Sequence, residues 1–321
     1  MTTPLLRPPA RGHTESEQPV GCDFVCPDLA VRAWLERWLD SLDLPWPGQF
    51  RLIVSISEEN PLPADDREVF RQPTVGIQAG SPTGSVRVTW EVAAAAAEVH
   101  ATRPEAHLWL SHEAAAQLDR AERTFLMVTL IFVLRRLGWF HLHGAALTDP
   151  QGRGWLFVGN SNSGKSTTTA LLATRGWQVG TDDIGFLAPS DDGVALMGAL
   201  AQIALRDGGR DLLGARGGVA IAQRQKTGFW EEELGSTRAQ VVVPQIIAFA
   251  RVGERTSVVP AIPRTALSAM LNSSPWMLYE PSFAQEHLDV ISQVSRQSRC
   301  YDLTLGPDLF DRPDLLEELV P

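Results

Sequence analysis

The segment Gly159-Asn160-Ser161-Asn162-Ser163-Gly164-Lys165-Ser166 limits what this chain can fold into more than any other stretch. It satisfies G-x-x-x-x-G-K-[ST] at every fixed position and follows the apolar run 155–158 without a gap. Glycines at such positions let the backbone curl until successive N–H groups face one anion. A helix opening near Ser166 adds the positive end of its dipole to the same spot. In this pattern Lys165 reaches the outer phosphates and the Ser166 hydroxyl takes Mg2+. Gly159 to Thr167 is therefore the expected binding segment for ATP with Mg2+. The helix is predicted over 167–174, with Gly176 placed to end it. Thr167, Thr168 and Thr169 form helix poorly, so this helix depends on packing.

Strand, glycine loop, helix, strand is an α/β order. Downstream, 241–243, 246–251, 257–261 and 301–305 read as strands, and 264–271, 282–295 and 314–320 as helices. Upstream, Val31, Trp34, Leu35, Trp38, Leu39 and Leu42 fall at helical spacing behind Asp28, which predicts an amphipathic helix over about 29–42. The stretches 50–57, 75–79, 85–91 and 107–111 read as strands, 60–73 as a loop, and 93–97 as either helix or strand. Residues 113–137 read as largely helical, followed by a short strand around 143–147. Residues 1–20 are polar and proline-rich, without apolar periodicity, and read as a disordered tail. The expected division is thus a tail (1–20), a small α+β module (21–112) and an α/β catalytic domain with the phosphate loop (113–321).

The formal net charge of −10 argues against a partner such as duplex nucleic acid, which favours a basic face. The most apolar run, 125–134, is too short for a membrane-spanning helix, which needs about 20 residues. Neither a nucleic-acid nor a membrane partner is expected. No signal peptide is visible, and Cys22, Cys26 and Cys300 are too few for a disulfide scaffold, so the expected compartment is cytoplasmic. Basic residues total 28, yet Lys165 and Lys226 are the chain's two lysines. A chain that otherwise uses arginine thus places one lysine in a phosphate loop, which makes Lys226 a second candidate for phosphate contact.

A strand read over 177–180 ends at Thr181-Asp182-Asp183. In doubly wound sheets, carboxylates at strand ends beside a phosphate loop sit where metal ligands and bases are found. Together with His143-Gly144-Ala145-Ala146-Leu147 and Arg175-Gly176-Trp177, these residues resemble the catalytic domain of the HPr kinase/phosphorylase family. The look is closest to members that modify peptides, including the lasso-peptide kinases. The resemblance is strong over about 138–190 and weak over 191–321.

It implies a P-loop nucleotide-binding fold of the phosphoenolpyruvate-carboxykinase-like type. It also implies a kinase that moves the γ-phosphoryl group of ATP to a serine hydroxyl of a peptide or protein. By the resemblance, Lys165 and Ser166 contact phosphate and magnesium. Asp182 and Asp183 serve as base and metal-linked carboxylate, with Ser166 and Asp183 as the expected metal pair. His143 lies near the transferred group. Bifunctional relatives carry an acid after the first loop glycine, where this chain has Asn160. They carry a glutamate before a downstream Arg-Gly pair, where Leu213-Gly214-Ala215-Arg216-Gly217 has Gly214. Both changes remove negative charge, which argues against the phosphorylase direction and against HPr as acceptor.

Arg206, Arg210 and Lys226 are further cations for the acceptor or the transition state. The alternatives are a kinase of a small hydroxylated metabolite and a P-loop ATPase or nucleotide switch. No L-S-G-G-Q or N-K-x-D segment is present to favour the last. Self-association into a homo-oligomer stays open.

Overall fold

The computed structural model describes residues 21–46, 48–58, 68–71, 74–79, 84–90, 92–199, 202–215, 217–221 and 226–320. The predicted tail, 1–20, lies outside them. The chain divides into two units: residues 1–42, 46–140 and 276–285 in one, and 43–45, 141–275 and 286–321 in the other.

The first unit opens with β1 (Cys22–Val25) and α1 (Leu29–Ser41), followed by β2 (Phe50–Ile56). Asp28 caps α1, its Oδ1 accepting from the N–H of Ala30 at 2.9 Å and of Val31 at 3.0 Å. The helix buries Val31, Leu35, Trp38 and Leu39, the stripe expected from the sequence. Five more strands follow: β3 (Glu68–Arg71), β4 (Val75–Ala79), β5 (Val86–Trp90), β6 (Ala95–Val99) and β7 (Glu105–Leu110). They form one seven-stranded sheet in the order β1-β2-β7-β6-β5-β4-β3. β1, β2 and β7 are parallel and the remaining pairs antiparallel. Phe50, Leu52 and Val54 of β2 and Ala106, Leu108 and Leu110 of β7 alternate inward and are buried, as a one-sided sheet requires.

Residues 112–135 do not make one helix. They break into α2 (His112–Ala115), α3 (Leu118–Ala121), a π turn (Glu122–Leu126) and α4 (Met127–Arg135). Every residue of α4 is buried, and the helix packs on β5, β6 and β7. This stretch therefore belongs with the first sheet, and the division falls after Phe140 instead of after residue 112. Arg135 and Arg136 at the helix end both meet the buried Glu280, at 3.2 Å and 2.8 Å from its Oε2. The returning segment also sets Tyr279 against Phe70, ring centroids 4.8 Å apart.

The second unit contains β8 (Phe140–His143), β9 (Ala145–Thr148), β10 (Gly154–Val158), α5 (Lys165–Ala173), β11 (Gln178–Thr181), β12 (Ile184–Ser190), β13 (Gly193–Ala199) and β14 (Ile203–Leu205). It continues with α6 (Asp207–Leu213), β15 (Val219–Ile221), β16 (Lys226–Phe229), β17 (Val241–Val242), β18 (Pro244–Val252) and β19 (Ser257–Pro260). It closes with α7 (Pro263–Asn272), α8 (Ala284–Gln297), β20 (Arg299–Leu305), α9 (Asp308–Asp311) and α10 (Leu315–Leu319). The main sheet has the order β11-β9-β10-β18-β20-β19, with β10, β18 and β20 parallel at its centre. Two smaller sheets have the orders β17-β13-β12-β8 and β14-β16-β15.

β10 is buried along its whole length and β18 over Ile246, Ile247 and Ala248, as strands covered on both faces must be. Trp155, Phe157, Ile246 and Ala248 join Leu172 and Trp177 in one core. The predicted strand around 143–147 is two strands that change sheet at Gly144, and Glu68–Arg71 is a strand where a loop is predicted. The ambiguous alanine run is mostly the strand β6. Strands β12 to β16 have no counterpart in the sequence expectations. Among the described residues, no helix is long and apolar enough to cross a membrane.

Candidate active site

The loop between β10 and α5 closes on itself as its sequence demands. A Cβ on Gly159 would lie 2.6 Å from the Ala250 carbonyl, so only glycine lets β10 pass this close to β18. Gly164 has φ +92° and would set a Cβ 3.0 Å from Leu305 Cδ1. It caps α5 without any side-chain hydrogen bond, so the first N–H groups of that helix keep no side-chain acceptor. Asn162 holds φ +67°, a conformation asparagine tolerates better than most residues. Lys165 is buried and donates to the Gly159 carbonyl at 2.7 Å and the Asn160 carbonyl at 3.0 Å. Burial lowers the Lys165 pKa, and Asp182 and Asp183 pull it back up. Ser163 Oγ is buried with no hydrogen-bond partner. At its far end, α5 closes through Gly176 as expected. The Gly176 N–H donates to Ala173 O at 3.1 Å and the Trp177 N–H to Leu172 O at 3.2 Å.

The Thr181-Asp182-Asp183 turn leaves β11 beside this loop. Thr181 is fully buried and donates its hydroxyl to the carbonyls of Ile184 at 2.9 Å and Ala199 at 3.1 Å. Those bonds fix the turn and send its two carboxylates to different surroundings. Asp182 is buried, and its Oδ2 accepts from the Ala204 N–H of β14 at 3.2 Å. Its Oδ1 is buried without a well-formed hydrogen bond. Burial, followed by repulsion from Asp183, raises the Asp182 pKa to about 6, against the opposing pull of the Ser166 hydroxyl, the Ala204 N–H and Lys226. Asp183 is partly exposed, and its Oδ1 lies 2.8 Å from His143 Nδ1. The Gly144 N–H donates to the Asp183 carbonyl at 3.2 Å, so the His-Gly pair grips this aspartate by both backbone and side chain.

All the residues singled out from the sequence as catalytic, Lys165, Asp182, Asp183 and His143, thus share one site with the loop. The two carboxylates differ in their partners: the Ser166 hydroxyl hydrogen-bonds Asp182, while Asp183 pairs with His143. Lys226 joins them, close enough that its charge acts on both Lys165 and Asp182. Arg206 lies exposed just before α6, and Arg210 pairs with Asp207 at 3.6 Å. In the stretch 213–217, Arg216 lies outside the described residues. Gly214 there ends α6 in a left-handed conformation, φ +59°, which suits glycine.

One supporting residue escaped the sequence. Arg238 donates to Gly180 O of β11 at 2.9 Å and to Gly198 O of β13, and its Nε meets Asp43 Oδ2 at 2.8 Å. It ties β11, which ends in the acidic turn, to β13, the partner of β12. An arginine among 28 basic residues carries no local signal of that task. The three cysteines are free, and no cluster of three or more His, Cys, Asp or Glu side chains arranged for a metal exists among the described residues.

No family model matches this chain, and no curated protein matches it. Among solved structures it is similar to the HPr(Ser) kinase/phosphatase from Coxiella burnetii, at 14% identity and a TM-score of 0.31 over 56% of this chain and 93% of that one. A likeness of that size leaves the chemistry to be read from the residues themselves.

Proposed function

We propose that this chain is an ATP-dependent phosphotransferase whose acceptor is a hydroxyl group, most specifically a serine of a peptide. The observation that carries this reading is the separation of the two adjacent carboxylates. Asp182 is buried against Ser166, whereas Asp183 is partly exposed and held by His143, and both flank the 159–166 loop.

The residues fit a nucleotide with its cation. The uncapped start of α5, the orphaned Ser163 Oγ and the orphaned Asp182 Oδ1 are polar groups that a phosphate and a cation would satisfy. Ser166 and Asp182 would hold Mg2+. When bound, the nucleotide supplies the phosphoryl group and the cation neutralises its charge. Lys165 exchanges loop carbonyls for phosphate oxygens and offsets charge on the reacting group. Asp183 would take the proton of the acceptor hydroxyl as that oxygen bonds to the γ-phosphorus and the bond to the β,γ-bridging oxygen breaks, ADP being the leaving group. His143 would orient the carboxylate and steady the proton it gains.

The peptide acceptor, including the C-terminal serine of a lasso-type precursor, rests on the sequence resemblance. So does a forward-only direction, in keeping with Asn160 and Gly214 in place of acids. Labelled ATP with Mg2+ offered to serine-ending peptides, HPr, free serine and simple polyols tests both. The account expects label on peptide serine and none removed by added inorganic phosphate. Faster labelling of a free small molecule would replace the peptide with a metabolite. Phosphate released to water alone would make the chain an ATPase.

A further inference from the structure

The second lysine has a place in the fold that the activity above does not use. β16 pairs antiparallel with β14, setting Gly228 opposite Ala204 and Thr227 opposite Leu205. Ala204 is the residue whose N–H holds Asp182. Lys226 opens β16, two residues before Gly228, and so emerges on the same face of the strand as Gly228. The small sheet is fastened to the phosphate helix. α6 packs on α5, close enough that a Cβ on Gly209 would meet Thr167 Oγ1 at 2.9 Å. Loop, acidic turn and β16 are therefore parts of one framework.

Charge points the same way. Lys226 is half-buried, and among the described residues it is in no ion pair, although its field reaches Asp182 and Lys165. Two ammonium groups held near each other repel, and folding tolerates the arrangement only at a cost. A bound polyanion would offset that cost. The residue type matters as well. The chain uses lysine twice among 28 basic residues, and both lysines stand at this one site. Lysine is a compact point charge on a flexible stem, able to follow a phosphoryl group as it moves, whereas the arginine fork is rigid.

We infer that Lys226 is a second phosphate ligand, one that contacts the transferred γ-phosphoryl group and not the diphosphate left behind. This deepens the phosphotransferase reading and rests on it. Lys165 emerges from the loop itself and serves the bound nucleotide. Lys226 comes from the separate β14-β16-β15 sheet, whose strand β14 holds Asp182. The ligand class it selects is a nucleoside triphosphate over a diphosphate.

The test compares binding of ADP and of a non-hydrolysable ATP analogue, each with Mg2+, by calorimetry in the full chain. Lys226→Met keeps length and loses charge. It is expected to weaken the triphosphate about tenfold or more, the scale of one charge-assisted hydrogen bond, and to leave ADP within about twofold. Lys226→Arg, which keeps the charge, is expected to retain most of the preference for triphosphate. Equal loss of both nucleotides in Lys226→Met, or no loss of either, overturns the assignment. A wild-type chain that binds neither nucleotide overturns the phosphotransferase reading itself, and Lys226 with it.

Discussion

His143 Nδ1 stands 2.8 Å from Asp183 Oδ1, and the next backbone N–H, that of Gly144, holds the carbonyl of the same aspartate. The strand switch between β8 and β9 thus delivers a side chain and a backbone donor to one residue. Asp182, one position earlier, receives neither. Adjacent carboxylates acquire different chemistry because one is shielded behind β14 and the other is oriented by a histidine.

If Asp183 is the base and His143 its positioning partner, both should act on turnover more than on binding. Asp183→Asn is expected to lower kcat by about 100-fold or more, with nucleotide affinity within about threefold of wild type. His143→Ala should show the same pattern more weakly, and His143→Gln should recover part of the loss. Steady-state rates alongside nucleotide titrations check this. A loss confined to nucleotide affinity in either variant contradicts the assignment.

For Asp182 the sign follows from its surroundings. Its pKa in the fold, about 6, lies above the ordinary 3.8, so the protonated form is favoured by folding. The cost of burying the ionised carboxylate sets in as pH rises through this window and is complete above about 6. In metal-free protein, Asp182→Asn is expected to raise Tm above pH 6 and to match wild type near pH 4. With Mg2+ and ATP present the order should reverse, because the variant lacks the anionic ligand. Thermal melts from pH 4 to 8 with and without Mg-ATP decide it. A difference independent of pH contradicts the burial account.

Gly164 and Gly176 both hold positive φ, +92° and +83°, yet they should respond differently to alanine. At Gly176 a Cβ meets nothing within 4 Å, so Gly176→Ala pays for conformation alone, about 1 kcal/mol of stability. At Gly164 it also crowds Leu305 Cδ1 at 3.0 Å, inside the phosphate loop. Gly164→Ala is expected to cost more stability and to weaken nucleotide binding, whereas Gly176→Ala leaves binding intact. Denaturant melts with nucleotide titrations test the pair. Equal effects on binding would show that the loop does not depend on this backbone.

The site was legible to the extent that its chemistry is local. The loop, the acidic turn and the His-Gly pair each carry their residues within a few positions, and the structure gathers them. The different surroundings of Asp182 and Asp183 were beyond the sequence, because β14 and His143 reach the turn from 22 and 40 residues away. Arg238 was missed for the same reason. In the fold, long apolar strands such as β10 and β18 and the stripe of α1 announced themselves by period. Strands β14 to β16 did not, since they have only three or four residues each, and the β12–β13 hairpin, with its glycines, alanines and a proline, carries no strong period. The helical stretch after residue 112 was recognised as helical, and the sheet it packs on, β5 to β7, was not legible. Apolar residues show that α4 is buried, and only packing shows against what.

In the first unit, Glu280 joins Arg135 and Arg136 in a buried cluster. Glu280→Ala would leave two guanidinium groups without their carboxylate and is expected to cost about 3–5 kcal/mol of that unit's stability in denaturant melts. A loss below about 1 kcal/mol would mean that water or neighbouring groups replace the carboxylate.

The central claim is that residues 159–166 bind ATP and deliver its phosphoryl group. Lys165 Nζ, held now by the carbonyls of Gly159 and Asn160, is the group most committed to that task. Measuring ATP turnover and ATP affinity in wild type and Lys165→Ala tests it most directly. The account predicts weakened ATP binding and turnover lowered by about 100-fold or more. A Lys165→Ala variant that turns over ATP as fast as wild type would place the phosphotransferase site elsewhere and contradict the account.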